Sequence, residues 1–393
     1  MASPKITQLL AQVASTGVQA ATASGRNAAL SAARSLVAAL ETPAERITRM
    51  SWYDPLLIAV VRLSIDVKLF SKLQEQGGKP MTTSELASAT STDPALLIRF
   101  LKLLASADVV RETGEAEFAS TPTSDLLASP GGSGTLSNCF SVVSAVNYKI
   151  VEYFRSRGYH SPVDKDDSIW KHATGSDLHY FDWVFQPGNE EEAEAFLNHM
   201  SFKTLETKWY EAVPVEQILG SKCKADEVLI VDVGGNTGYD LLGFHRTHPN
   251  VKGRLVVQDL PKSISAIDKE GIKPVETMDH DFFTSQPVRG AKAYYLKMVL
   301  HDWPDSACRD ILGNLKPALT PGYSKILINE VVVPDVGAGW FETGVDTLMM
   351  VCHSSTERTE TMWRQLIESA GLKITKIWVC GDAVERLMEV ELA

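Results

Sequence analysis

The sequence predicts an α/β protein with a helical N-terminal half and a doubly wound parallel sheet in its C-terminal half. Two observations carry this. After Leu219, short β-rich runs (VLIVDV, RLVVQ, AYYLKMVL, KILINEVVV and KITKIWVC) alternate with helical stretches, the pattern of strands joined by helical crossovers. Before Leu219, apolar residues recur mainly at helical spacing. Composition sets the bounds. The 393 residues make two or three units at about 150 residues per domain. Apolar residues at 44% and charged residues at 22% exclude collagenous, low-complexity and wholly disordered chains.

Charge and cysteine usage narrow the class. The chain has 38 basic and 49 acidic residues, a net charge of −11, and no long Lys/Arg run. It is therefore a poor partner for nucleic-acid phosphates or an anionic membrane. Cys139, Cys223, Cys308, Cys352 and Cys380 include no C-x-x-C pair, so neither a disulfide framework nor a zinc site is expected. Apolar runs such as PLLIAVV from Pro55 are too short to cross a bilayer. The expectation is a soluble cytoplasmic protein without membrane or nucleic-acid partners.

Residues 1–50 read as a helical arm. Ile6, Leu9, Leu10 and Val13, then Leu30, Ala33, Val37 and Leu40, form stripes that bury against the body or a second subunit. The first acidic residue is Glu41, preceded by Lys5, Arg26 and Arg34 among Ala and Ser. That composition also fits a transit segment; Ala-rich helix propensity favours the arm.

Residues 51–128 read as helix, helix, helix, wing. PLLIAVVRLSIDVKLFSKL places Ile58, Val61, Ile65 and Leu69 on one face, TTSELASAT opens a helix with a Thr cap and Glu85, and a third helix starts at Asp93. VVRETGEAEFAS reads as a two-stranded wing. A winged helix often binds DNA, but here Arg99 and Lys102 lie among Asp93, Asp108, Glu112 and Glu115. Dimerisation and lid duty fit better. Residues 129–218 are a mixed, aromatic-rich region between the two halves, with Glu190 to Glu192 at a helix start.

The sheet half, residues 219–393, carries the chemistry. Val228–Val233 is a buried-strand run followed at once by Gly234-Gly235-Asn236-Thr237-Gly238. Glycines at this bend let the backbone approach a ligand. A second strand ends in Gln258-Asp259-Leu260-Pro261, where an acid hydrogen-bonds ribose hydroxyls in this class of sheet. G-G-x-x-G in place of G-x-G-x-x-G tilts away from a dinucleotide and towards a nucleoside without phosphates. AYYLKMVL runs into His301-Asp302-Trp303-Pro304-Asp305, putting His301 at a strand's carboxyl end, where such sheets bind ligands. Asp305 reads as a helix N-cap and Asp302 as a local acceptor. Glu330 lies within the apolar run KILINEVVV and needs a partner or a function. Glu357 precedes the helix TMWRQLIESAG, where a capping role competes with a catalytic one.

The ordered set VDVGGNTG, VQDLP, DHDFF, LKMVLHDWPD, INEVVVPD and STERTE resembles class I S-adenosylmethionine-dependent O-methyltransferases, in particular the caffeic acid O-methyltransferase-like branch in its fungal secondary-metabolite form. The resemblance spans nearly the whole chain and implies a Rossmann-like cofactor domain behind a winged-helix dimerisation domain. It implies that Asp232, Gly234, Gly235 and Gly238 hold the methionine part of S-adenosylmethionine, Asp259 the ribose, and Asp281 and Phe282 the adenine, with Leu260 and Lys297 also in the cofactor site. His301 matches the general base, framed by Glu330 and Glu357. Asn138, Met298, Asp302, Met349 and Met350 fall at acceptor-pocket positions; core packing is the other reading of the three methionines. Asn236 stands where many members have a third glycine.

The reaction implied is methyl transfer to a phenolic or enolic hydroxyl of a small secondary metabolite, without a metal, in a homodimer joined by the N-terminal helices. The alternative in the same fold is a dehydratase or pericyclase. It would use the sulfonium as a fixed charge, with Lys297, His301, Asn138 or His160 donating to a polyketide carbonyl.

Overall fold

In the computed structural model, residues 4–18, 23–202, 208–220, 223–381 and 384–393 are described. They divide into two compact units, one of Met1–Val142 with Val184–Leu205, the other of Val143–Trp183 with Glu206–Ala393.

In the first unit, helices Pro4–Gly17 and Ala23–Leu40 form where the stripes predict them. The stripes are not packed on a body, however. No residue of the first helix is buried, and Leu10, Leu30, Val37 and Leu40 are all more than two-fifths exposed. The long apolar face expected through Leu69 is broken into helices Asp54–Asp66 and Leu69–Glu75. Lys68, at φ 58° in the left-handed region, redirects the chain there. Leu69, Phe70 and Leu73 turn into the core, whereas Ile58 stays exposed.

Helix Thr83–Thr90 opens on a reciprocal capping box between Thr82 and Glu85. Helix Pro94–Ser106 opens on Asp93, whose carboxylate accepts the Leu96 N–H at 3.0 Å. The wing is three-stranded, β1 (Met81–Thr82), β2 (Arg111–Gly114) and β3 (Glu117–Ala119), in the order β1-β3-β2. Two residues are too few for β1 to show a period in the sequence.

The second unit is built on an eight-stranded sheet. Its strands are β4 (Val228–Val233), β5 (Arg254–Asp259), β6 (Glu276–Asp279), β7 (Ala293–Lys297), β8 (Lys325–Val333), β9 (Arg358–Thr359), β10 (Leu372–Val379) and β11 (Glu385–Leu392). The order is β10-β11-β8-β7-β4-β5-β6, with β9 beside β8. β4 to β8 pair in parallel, but β11 runs antiparallel to both β8 and β10, so the sheet is mixed. Charged Glu385, Arg386, Glu389 and Glu391 disguise β11 in the sequence. In the fold it lies inside the sheet and buries Leu387, Met388 and Val390.

One face is covered by Trp209, Tyr210, Leu241 and Phe244, the other by Ile311, Leu312, Leu315, Trp363 and Ile367. Strand order reverses at β4, whose successors run outward through β5 on one side while β7 lies on the other. The carboxyl ends of β4 and β7 therefore open on the crevice where doubly wound sheets hold ligands. No helix among the described residues is long and apolar enough to cross a membrane.

Candidate active site

At the end of β4 the backbone turns through Gly234 (φ 74°), Asn236 (φ 49°) and Gly238 (φ 72°). The Gly234 and Gly235 N–H groups donate to the Gln258 carbonyl at 2.9 and 3.0 Å. Only glycine fits at 235, since a Cβ there would stand 2.5 Å from the Asp232 carboxyl and 2.7 Å from Val257. Asp259, at the tip of β5, accepts the Asn236 N–H at 2.9 Å and the Leu260 N–H at 2.8 Å, tying the two strand ends together.

Asp232 is buried, its Oδ2 has no hydrogen-bond partner among the described residues, and burial pushes its pKa well above the usual carboxylate range. A buried acceptor without a donor costs free energy, and a ligand ammonium would remove that cost. Phe282 is half-buried beside the bend, whereas Asp281 and Leu260 are exposed. Asp281 spends one carboxylate oxygen on the Phe283 N–H, 2.9 Å away. Lys297 ends β7 with its Nζ 3.7 Å from Asp240 Oδ1; Lys208 Nζ lies 3.5 Å from the same oxygen, and the Tyr295 hydroxyl donates to Oδ2 at 2.8 Å. An orphaned carboxyl, a glycine-only bend and a carboxylate at the next strand tip fit an amino-acid-bearing nucleoside.

The second constellation is built on the turn after β7. The strand stops at Lys297, short of the AYYLKMVL run, because Met298 adopts φ 50° and the chain enters a 3-10 turn, Leu300–Asp302. Glu330 Oε1 holds that turn by accepting the N–H groups of Val299 and Leu300 at 2.9 and 2.8 Å. His301 is 3% exposed, donates from Nδ1 to Glu357 Oε1 at 2.7 Å, and places Nε2 3.4 Å from Asp302 Oδ1. Thus of the two acids expected to frame the ring, Glu357 touches it and Glu330 organises its backbone. Burial alone would lower the pKa of His301. The surrounding Asp302, Glu330 and Glu357 outweigh it and raise the value to about 9. Burial, then the nearby Glu357 charge, raises Glu330 to about 7 against the opposing pull of His301.

Asp305 is not the N-cap expected of it. Pro304 occupies that place, and Asp305 instead takes the Arg358 guanidinium at 2.8 and 2.9 Å. Nor does Glu357 cap the following helix, a task that falls to Thr359. Arg358 is fully buried and also donates to the carbonyls of Leu300 at 3.1 Å and Trp303 at 2.9 Å. The Ser355 hydroxyl donates to the His301 and Trp303 carbonyls. Asp346 secures Glu357 by accepting its N–H at 2.8 Å.

Among the acceptor-pocket residues, Met298 and Asp302 belong to the His301 turn. Met349 is buried and Met350 half-buried on helix Trp340–His353. Asn138 is half-buried on helix Pro130–Ser156, in the other compact unit, and His160 is exposed. Sequence reasoning gave no role to Lys208, Asp240, Asp346, Arg358, His179 or His353. Arg358 stands inside the STERTE block and Asp240 in the first turn after the glycine loop, the only signals either residue offers.

Residues 162–373 match the family described as O-methyltransferase domain, and residues 56–130 the O-methyltransferase dimerisation domain. The chain is 35% identical to O-methyltransferase mfmE of Annulohypoxylon moriforme, over 93% of this chain and 90% of that protein. It superposes on a solved structure of LepI in complex with SAM with a TM-score of 0.89 at 31% identity, covering 98% of this chain and 99% of the other. A structure described as a pericyclic reaction enzyme matches with a TM-score of 0.88 at 31% identity, over 98% of both chains. The family match over residues 162–373, together with 35% identity to a relative over 93% of this chain, establishes that this protein belongs to the S-adenosylmethionine-dependent O-methyltransferase family.

Proposed function

We propose that His301 is the general base for methylation of a phenolic or enolic hydroxyl on a small secondary metabolite. The observation that supports it is the buried His301–Glu357 hydrogen bond of 2.7 Å, which fixes one ring nitrogen as donor and leaves Nε2 to take the hydroxyl proton, as in a triad. Glu357 orients the ring and stabilises the imidazolium, Glu330 sets the turn, and Asp302 faces the proton-accepting nitrogen. In the proposed cofactor site, Asp232 accepts from the ammonium of the methionine part, Asp259 from the ribose, and the Gly234–Gly238 bend admits the ligand backbone. Asp281 and Phe282 would hold the adenine, and Leu260 and Lys297 would line the site. S-adenosylmethionine supplies an electrophilic methyl group when bound.

A second reading draws on the charge of His301. With its pKa near 9, the imidazole is a cation at neutral pH, so both ring nitrogens donate and Nε2 can hydrogen-bond a carbonyl. That favours a rearrangement, in which the substrate changes without gaining mass. The two readings separate by mass spectrometry of the protein with isotopically labelled S-adenosylmethionine and a panel of hydroxylated polyketides. A product heavier by one methyl, with matching S-adenosylhomocysteine, is the expected result. Conversion at unchanged mass with intact cofactor would make the second reading the correct one.

The active molecule is proposed to be a homodimer through its N-terminal helices. Val37, Leu40, Ile47, Met50, Trp52 and Leu56 are all more than half exposed, and apolar side chains exposed together mark interaction sites. Light scattering is expected to give twice the 43.0 kDa chain mass; a stable, fully active monomer would refute the arrangement.

A further inference from the structure

Two carboxamides lie buried side by side on the sheet face that packs Ile311 and Leu312. Gln258 belongs to β5 and Gln286 to the loop after β6. Gln258 Nε2 donates to Gln286 Oε1 at 2.9 Å, and Gln286 Nε2 returns a bond to Gln258 Oε1 at 2.8 Å. The Val288 N–H also donates to Gln286 Oε1, at 3.0 Å. A backbone N–H only donates, so it fixes which end of Gln286 is oxygen and hence which end of Gln258 is nitrogen. That nitrogen also faces Met278 Sδ, 3.1 Å away. Neither amide leaves a buried polar atom without a partner among the described residues.

Each end of the pair is tied to one wall of the proposed cofactor site. The Gln258 carbonyl takes the N–H groups of Gly234 and Gly235 and so sets the glycine bend. The Gln286 N–H donates to the Asn314 carbonyl at 3.2 Å, and Asn314 Nδ2 donates to the Phe282 carbonyl at 3.3 Å. The turn that carries Phe282 is closed on itself, because the Thr284 N–H and hydroxyl both donate to the Asp281 carbonyl, at 2.9 and 2.7 Å. It is anchored to the body at His280, whose N–H reaches the Asp259 carbonyl at 2.9 Å, and then at Phe282 and Gln286. The Phe282 and Phe283 rings meet Trp303 edge-on, which fills space under the turn. The two walls are close. A Cβ on Gly234 would stand 3.5 Å from the Phe282 ring.

Stability alone does not call for an amide pair here. Two apolar side chains of the same shape replace such a pair at little cost, but they carry no direction. A fully satisfied polar network fixes one arrangement. We propose that the Gln258–Gln286 pair sets the spacing between the glycine bend and the Phe282 turn, making both glutamines positioning residues for the nucleoside half of the cofactor. This rests on the reading of Asp281 and Phe282 as the adenine wall. Both amides are buried, so they act through the walls they hold. Without the pair the turn visits other positions, and apparent affinity falls with the fraction of molecules that keep the right one.

The test titrates the full-length protein with S-adenosylhomocysteine and with 5′-methylthioadenosine, which has the nucleoside but no amino acid, and records melting temperatures alongside. Gln286→Leu strands the Gln258 amide. It is expected to melt lower and to bind both ligands about tenfold more weakly, the worth of one buried hydrogen bond. The double variant Gln258→Leu/Gln286→Leu strands no side-chain amide, and is expected to recover part of the melting temperature but none of the affinity. Asn314→Ala leaves the pair intact and removes only the bond to the Phe282 carbonyl, so it serves even where the leucine variants do not fold. It is expected to weaken both ligands about threefold. Affinity that returns with stability in the double variant, or wild-type affinity in Asn314→Ala, would overturn the positioning role. Phe282→Ala tests the underlying reading. Wild-type affinity for 5′-methylthioadenosine there would overturn the adenine wall, whereas a loss there with wild-type affinity in the leucine variants would overturn the amide pair alone.

Discussion

Replacing His301 with alanine is expected to lower methyl transfer by about 10²–10⁴-fold, the usual worth of general-base catalysis, while S-adenosylmethionine binds as before. The separation follows from the geometry. The cofactor cradle is assembled by the β4 bend and Asp259, neither of which uses the imidazole. The pH dependence gives a second signature. A base must be deprotonated to act, and the three acids around His301 keep it protonated up to about pH 9. Wild-type activity therefore rises about tenfold per unit below that pH and levels off above it, and the alanine variant loses this limb. Isothermal titration with the cofactor, run beside a turnover assay across pH 6 to 10, checks both. Unchanged turnover in the variant would end the assignment of His301 as base.

Arg358→Leu carries the largest expected structural effect. The guanidinium is fully buried and serves Asp305 together with the carbonyls of Leu300 and Trp303, and so clamps both ends of the turn that presents His301. Asp305 is half-exposed, and water takes over much of its charge when the arginine goes. The two carbonyls keep other donors, the Trp303 N–H for Leu300 at 3.2 Å and the Ser355 hydroxyl for Trp303 at 2.9 Å. Each still loses its hydrogen bond to a charged donor, worth about 1.5–3 kcal/mol, so the expected loss is about 2–5 kcal/mol in a denaturant titration. Activity falls further than stability explains, because the freed turn no longer holds Nε2 in place. Arg358→Lys recovers little, since an ammonium on a flexible stem cannot span carboxylate and carbonyls at once. A variant as stable and active as wild type would show that the turn is held by Glu330 and Ser355 alone.

The core of the sheet was legible because its signals are local. A β-rich run ending in glycine, an acid at the next strand tip and a histidine after the third run each announce themselves within a few residues, and all lie at strand ends in the fold. The antiparallel strand β11, between β10 and β8, was not legible. It mixes charged and apolar residues, and it reads as a strand only when Lys325 is seen to pair with Glu389 across the ladder. Asp305 misled for a related reason. Its position before a helix has a local explanation, and the partner that claims it, Arg358, stands 53 residues away.

By itself the sequence determined the family of folds, the glycine bend after β4 and the histidine after β7, since each depends on residue types at short spacing. Tertiary structure alone decided which glutamate touches His301, that Arg358 clamps its turn, and that His179 meets His353. The physical reason is range. Backbone conformation and strand burial are dictated by neighbours in the chain, whereas a buried charge is satisfied by whatever the fold brings within about 3 Å, here from 30 to 58 residues away.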